Sequence, residues 1–194
     1  MKQWKGTFIA LIVLIALGAY VGYFVWGGHG KSKKSTPTPT LEPVLSGIKE
    51  KDVTDVIIAG APKVMALRKQ KDGWKVLSPK KHDGDDRKID RALSHLISAS
   101  PTRVITGTKD LKGFGLDSPK WYITLKTSQG KVVTLRIGNQ NPSGVSYYVQ
   151  LEGEKDKIYM IPTFPIDEIT AFLNKPPLKP TPTPVAKGTP KGGG

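Results

Sequence analysis

The densest set of groups able to do chemistry lies in "HDGDDRKID", where His82, Asp83, Asp85, Asp86 and Asp90 crowd a single short stretch. Carboxylates at this density suggest a hard cation first. A calcium loop, however, needs oxygen ligands at alternating positions, a glycine at the sixth and a bidentate glutamate at the twelfth. Here Gly84 stands second and the residues beyond Asp86 already follow helical spacing. The stretch therefore reads as a loop plus a helix cap. Asp86 is placed to cap the first turn, and both Asp85 and Asp86 lie near the positive end of the helix dipole. The other two histidines add no metal set: His29 falls in a polar segment, and His95 has no second histidine or acid at ligand spacing.

Nucleophilic and acid–base sets are equally thin. The chain has no cysteine, which excludes disulfides, thiolate metal sites, cysteine nucleophiles and a lipidated N-terminal cysteine. Neither "GxSxG" nor "HExxH" occurs, and the histidines are scattered. Two carboxylates, Asp117 and Asp167, could converge in space as an unrecognised hydrolase pair. The glycine-rich "LKGFGLDSPK", Leu111 to Lys120, lacks the third glycine of a dinucleotide fingerprint and the lysine of a P-loop, and it feeds a strand. It reads as a turn in which Gly113 and Gly115 supply unusual backbone angles and Phe114 or Leu116 a buried contact. Tyr122 and Tyr148 are the residues best suited to stacking on a sugar, against the simpler reading of ordinary strand aromatics. No catalytic, metal or cofactor-binding residue is assigned.

These side chains must be carried by short alternating runs. "VTDVIIA", "KVMALRK" and "GWKVLS" read as three strands of a meander, with Trp74 and Val76 on one side and Lys75 and Leu77 on the other. "DDRKIDRALSHLIS" switches to helical spacing, with Ile89, Leu93, Leu96 and Ile97 on one face. A short strand around Arg103–Thr106 follows. "KWYITLKT", "VVTLRIG", "VSYYVQL" and "KIYMIP" continue the meander, with Val145, Tyr147, Val149 and Leu151 expected together. A last short helix, Ile166 to Leu173, begins near "TFPIDE" and ends before Pro176-Pro177. The expected fold is α+β, mainly antiparallel meander sheet of about eight strands with two packing helices. A faint internal symmetry accompanies it, since each half runs strands, a proline and a helix.

Outside this region, residues 7–26 read "TFIALIVLIALGAYVGYFVW" without a charge, long enough at about 1.5 Å per residue to cross a hydrocarbon core of roughly 30 Å. A cleaved signal is the competing reading, but its apolar core is normally only about 7 to 15 residues and ends in small residues. Tyr23, Phe24 and Trp26 instead suit an interfacial belt. The favoured reading is one transmembrane signal anchor, with residues 1–6 a cytoplasmic head and the bulk of the chain outside the cytoplasmic membrane. Residues 27–47 form a Thr/Pro-rich linker, 48–174 the extracytoplasmic domain and 175–194 a Pro/Gly-rich disordered tail.

The formal net charge of +14 raises nucleic acid as a partner. Between Ile48 and Asn174 there are 21 Lys and Arg against 15 Asp and Glu; the rest of the chain carries 9 bases against Glu42 alone. More than half of the excess thus sits in the flanks and tails, away from any groove for a phosphate backbone, and nucleic-acid binding is not expected.

The order "KDGWKVLSP", "DDRKIDRALSHL", "LKGFGLDSPKWYITL", "LRIGNQNPSG", "SYYVQ" and "KIYMIP" resembles the bacterial family called domain of unknown function 4340, over roughly Val64 to Phe172. The resemblance implies a membrane anchor, an extracytoplasmic domain and, in some members, company with ABC-type transport or gliding-motility components. It implies no biochemical activity and no functional residue. The chain departs from the common pattern in its Thr-Pro spacer and tail and in holding one copy of the domain.

The expectation is a non-enzymatic, membrane-anchored extracytoplasmic binding or scaffold module with a protein partner in the cell envelope and no cofactor. A cell-wall or polysaccharide binder and a carboxylate-based hydrolase are the alternatives.

Overall fold

The structure is a computed structural model and describes residues 41–180. The expected membrane span, His29, most of the spacer and the end of the tail lie outside these residues. No helix among the described residues is long and apolar enough to cross a membrane.

After a single 3-10 turn at Glu50–Asp52, the chain runs β1 (Val53–Gly60), β2 (Lys63–Gln70), β3 (Gly73–Ser78), β4 (His82–Asp83), α1 (Asp86–Ser98) and β5 (Arg103–Thr106). It continues through β6 (Trp121–Thr127), β7 (Val132–Gln140), β8 (Ser146–Leu151), β9 (Lys157–Pro162) and α2 (Thr163–Thr170), which tightens into a 3-10 turn at Ala171–Leu173. The nine strands of the described residues join one antiparallel sheet in the order β4-β3-β2-β1-β6-β7-β8-β9-β5. The fold is thus the expected α+β class.

Period-2 alternation decides which face each side chain takes. Val56 and Ile58 of β1, Met65 and Leu67 of β2, Ile123 and Leu125 of β6, and Leu135 and Ile137 of β7 all point inward and are buried. The helices lie on that inner face. α1 supplies Ile89, Ala92, Leu93 and Leu96, and α2 supplies Ile166 and Ile169. Truncating one of these leucines or isoleucines to alanine removes core area and leaves a cavity, a loss of about 2–5 kcal/mol.

Several expectations need correction. The sheet has nine strands because His82 and Asp83 pair with Val76 and Lys75; two residues are too few to show a period. The cap of α1 is Asp85, whose side chain accepts from the Lys88 amide, while Asp86 takes the Trp74 amide at 2.6 Å. α2 starts at Thr163, the first residue of the expected "TFPIDE" start and three residues ahead of Ile166; Pro165 is tolerated because first-turn N–H groups need no helical acceptor. Val145 does not join the inner row of β8. It is exposed in the preceding turn, where the Asn141 side chain accepts the amides of Val145 and Ser146 at 3.0 and 3.1 Å. Leu45, within the expected linker, is buried in the core.

The internal symmetry is explicit in the topology. β1–β4 with α1 and β6–β9 with α2 are the same meander-plus-helix unit, joined through the antiparallel β1·β6 pair, so an approximate two-fold axis passes through the sheet between them. The chain then crosses over. After α1 the Thr102 amide donates to the Met160 carbonyl at 2.8 Å, and after α2 the Lys179 amide donates to the Asp83 carbonyl at 2.9 Å. Thr102 and Lys179 stand 77 positions apart, as do Asp83 and Met160. Each half lends its last segment to the edge of the other.

Candidate functional site

The acidic cluster is consumed by structure. Lys75 holds Asp83 at 2.8 Å and Asp72 at 2.6 Å; these partners lower both carboxyls and push the Lys75 amine upward. Asp90 accepts the Trp74 indole N–H at 2.8 Å and lies 3.5 Å from Lys69 Nζ, which also sits over the indole ring. Among the described residues no three histidines or carboxylates are grouped as metal ligands.

The same device recurs in the second half. The Tyr147 hydroxyl donates to Asp167 at 2.9 Å and accepts from Gln140 Nε2 at 3.1 Å. Burial, then the neighbouring carboxylate, pushes the phenol up to about 12. Trp74 faces Lys69 across the β2·β3 hairpin as Tyr147 faces Gln140 across β7·β8. Asp90 and Asp167 each occupy the fifth position of their helix. Each helix is thus pinned to the sheet by one aspartate on one strand aromatic. The repeated dipeptide Ile89-Asp90 and Ile166-Asp167 was the signal for this pairing, and strand-by-strand reading passed over it.

The candidate catalytic pair is not assembled. Asp117 is exposed in the loop before β6 and caps its own turn through the Ser118 amide at 2.9 Å, while Asp167 is bound to Tyr147. His95 does gain an acid, Glu168 of α2, with Nδ1 at 2.6 Å from Oε2; Arg91 holds the other carboxylate oxygen at 3.0 Å. The pair bolts α1 to α2 at the surface, with Phe164 tilted against the imidazole. His82 is exposed on β4.

The opposite, outer face of the sheet is divided. The loop containing "LKGFGLDSPK" folds across β7 to β9. Leu116 is fully buried there, as is Ile158; both lie outside the main core cluster. Arg136 donates to the Leu116 carbonyl at 2.5 Å and to Gln150 at 3.2 Å. Phe114 stacks edge-on to Tyr148, with ring centroids 4.7 Å apart. The Asn139 amide takes the Phe114 carbonyl at 2.9 Å, and a Cβ on Gly138 would collide with that same oxygen. Gly115 has φ +68°, whereas Gly113 is not among the positive-φ glycines; its amide donates to the Asp110 carboxylate at 3.0 Å. The stretch is therefore a cover over one half of the outer face as well as a turn into β6.

Among the described residues, nothing covers the outer face over β2, β1 and β6. Register places Val64, Ala59 and Tyr122 in one cross-strand row and Ala66, Ile57 and Thr124 in the next. Ile57 is 43%, Val64 49% and Tyr122 40% exposed, high values for large apolar groups on paired strands. A shallow depression of about 300 Å³ opens at the end of this strip between Ala59–Val64 and Pro119–Tyr122, with Lys63 and Lys120 on its rim. Tyr122 is thus available to a ligand, and Tyr148, held by Phe114, is not. A third row, Arg68, Asp55 and Lys126, closes the strip; Arg68 and Asp55 pair at 2.6 Å.

A family model described as Domain of unknown function (DUF4340) matches residues 40–193. The chain belongs to that family. The match extends beyond the resembling stretch at both ends, taking in the segment after Pro180. No curated protein and no solved structure gives a significant match. Among the described residues of this DUF4340 domain, the strip of Ile57, Val64 and Tyr122 is an apolar surface on paired strands that the fold leaves exposed.

Proposed function

We propose that the chain is a non-enzymatic, membrane-anchored extracytoplasmic module whose bare outer sheet face binds a protein partner, as an accessory to an envelope complex of the ABC-transport or gliding type. One observation carries the reading: the strip formed by Ile57, Val64 and Tyr122, exposed at the centre of a sheet whose other face is fully covered. Contiguous apolar residues rimmed by charge are a docking feature, because leaving them in water forgoes about 25 cal/mol per Å². Lys63, Arg68, Lys120 and Lys126 around the strip favour a partner surface with a polar acidic rim and an apolar centre. The anchor supplied by residues 7–26 would hold this face outside the membrane.

The test is photo-crosslinking in intact cells from a reactive side chain at position 57 or 122. A discrete membrane-protein adduct is expected from both positions and not from Lys109 on the opposite half. Absence of any adduct from 57 and 122 defeats the reading.

A second reading, binding of a wall polysaccharide, rests on the exposed Tyr122 ring at the mouth of the depression. Retention on sedimented cell wall at low salt that is lost in Tyr122→Ala, with no protein adduct in cells, would put this reading in place of the first.

A further inference from the structure

In an antiparallel sheet successive hairpin turns fall at alternate ends, so the register sorts the connections into two sets. One end gathers residues 60–63, 79–81, 118–120, 141–145 and 162–164; the other gathers 50–52, 71–72, 128–131 and 152–156.

The two ends differ in charge. The first holds Lys63, Lys80, Lys81 and Lys120 and no carboxylate, whereas the second holds six carboxylates against four lysines. The acids that flank the first end along the chain are already engaged: Lys75 holds Asp83, the Ser118 amide donates to Asp117, and the Tyr147 hydroxyl donates to Asp167. Among the described residues none of the four lysines is paired with a carboxylate. Lys63 Nζ donates to the Asn174 side chain at 2.6 Å, and Lys120 Nζ lies 4.3 Å from the centre of the Trp121 ring.

The basic end is also where apolar side chains stand in water. Val145 and Phe164, each 61% exposed, are the two most exposed large apolar residues of the described chain. The Thr163 amide donates to the Val145 carbonyl at 3.1 Å, which joins the turn carrying one to the helix start carrying the other. Val64 and Tyr122 continue the apolar surface just beyond Lys63 and Lys120.

This combination selects a partner. Cations with no interleaved acid attract a surface of many negative charges, and each lysine near an anionic bilayer favours contact about fivefold. The headgroup layer of such a bilayer takes exposed valine and phenylalanine out of water, while lysine stems cover apolar surface and hold their amines at the phosphates. A nucleic-acid backbone would use the lysines and leave Val145 and Phe164 in water. An acidic protein would need a matching fixed shape, and the outer-face depression of about 300 Å³ between Ala59–Val64 and Pro119–Tyr122 is shallow. A fluid surface needs no preformed groove.

We infer that this end of the sheet rests on an anionic phospholipid surface, with Val145 and Phe164 in the headgroup layer and Lys63, Lys80, Lys81 and Lys120 facing lipid phosphates. The inference concerns the end of the sheet and stands apart from what the outer face binds around Ile57.

Because the chain has no cysteine, one introduced thiol carries a single fluorescent label. The full chain, with residues 7–26 present in every arm, is reconstituted into vesicles of phosphatidylcholine alone or of equal parts phosphatidylcholine and phosphatidylglycerol, each containing a lipid-borne quencher. The label is placed at the basic end through Ser143→Cys, which keeps Val145, or at the acidic end through Gln129→Cys. Quenching at 143 in the mixed vesicles is expected to exceed that at 129, and that at 143 in phosphatidylcholine alone, by about fivefold or more. Raising salt from about 0.1 M to about 1 M shortens the Debye length from about 10 to about 3 Å and should reverse most of it. Lys63→Gln with Lys120→Gln should lower the ratio of docked to undocked chain about 25-fold, with the melting temperature unchanged. Equal quenching at 143 and 129, equal quenching in the two vesicle types, or none at 143 overturns the inference. A label at 143 that responds to a DNA duplex and not to mixed vesicles also overturns it and makes nucleic acid the partner.

Discussion

Replacing Tyr147 by phenylalanine tests the inner-face network through its response to alkali. The hydroxyl is only 3% exposed as part of its residue and is shared between Asp167 and Gln140. Its ionisation is pushed from 10.0 up to about 12, first by burial and then by the Asp167 carboxylate. A group whose folded value lies above its unfolded value contributes stability that is complete below the unfolded value and disappears as pH rises through the folded one. The window is therefore about pH 10 to 12. At pH 11 the unfolded phenol is mostly ionised and the folded one mostly not. The linkage relation then gives a loss of about 1.4 kcal/mol against pH 9, at about 1.36 kcal/mol per unit. For a domain of this size that corresponds to about 5 °C in Tm. Lysines and the other tyrosines titrate in the same range, so the informative quantity is the difference between two proteins. Thermal melts of the unaltered chain and Tyr147→Phe at pH 9 and pH 11 should differ in slope by about that 1.4 kcal/mol, the unaltered chain falling more steeply. Parallel melts would show that the phenol is not held neutral by Asp167, and the pinning of α2 to β8 would lose its energetic basis.

Other substitutions probe neighbouring steps. Asp90→Ala strands the indole N–H of a buried tryptophan and should cost about 1–3 kcal/mol in urea unfolding, with Asp90→Asn costing less because an acceptor remains. Gly138→Ala drives a methyl group into the Phe114 carbonyl; the loop over β7 must lift, with a loss of about 1–3 kcal/mol and faster amide exchange at Asn139. Gly144→Ala is the contrast, since its φ of +73° is strained for alanine but no atom is near, so the cost of about 1–2 kcal/mol should leave exchange of the 111–116 loop unchanged. Ile57→Ser and Tyr122→Ala should shift stability by no more than about 0.5 kcal/mol, because neither residue is in the core, while abolishing the crosslinked adduct.

What could be read from the chain followed the range of the interaction. The parity of Trp74 and Val76, the stripe of Ile89, Leu93 and Leu96, and the strands around Ile123 and Leu135 are local periodicities, and each buries the side chains its period selects. β4 was invisible because two residues hold no period; its existence depends on Lys75 and Val76 of β3 and on Lys179 arriving after α2. His95 lacked an acid at helical spacing because its partner, Glu168, comes from the other helix. The burial of Leu116 depends on β7, whose Arg136 the sheet brings to the Leu116 carbonyl. The exposed strip was legible only in part: Tyr122 was singled out by type, but its exposure and the half-burial of Tyr148 are decided by where the Phe114 loop lands.

That landing is in turn a consequence of the symmetry. A two-fold axis normal to a sheet carries each face onto itself, so a helix on the inner face of one half requires its counterpart on the inner face of the other. Both α1 and α2 are accordingly drawn to one side, where Arg91 and His95 meet Glu168, and among the described residues the duplicated unit supplies no helix to the outer side. The connection from β5 to β6 is the one segment that the repeat does not supply, because it joins the two copies. It starts at the β5 edge, beside β9, and must reach β6 near the centre of the sheet, so it passes over the strands between them and buries Leu116 on the way. The strands beyond its end, β6, β1 and β2, stay open. Ile57, Val64 and Tyr122 are exposed on just those strands. A shortened connection that can no longer seat Leu116 should therefore uncover Ile158 and Tyr148, leave the exposure of Ile57 unchanged and enlarge the apolar face toward β8. Binding of a hydrophobic dye to the folded domain should rise in Leu116→Asp and remain at its original level in Ile57→Ser. A rise in neither would mean that the loop does not divide the outer face in two.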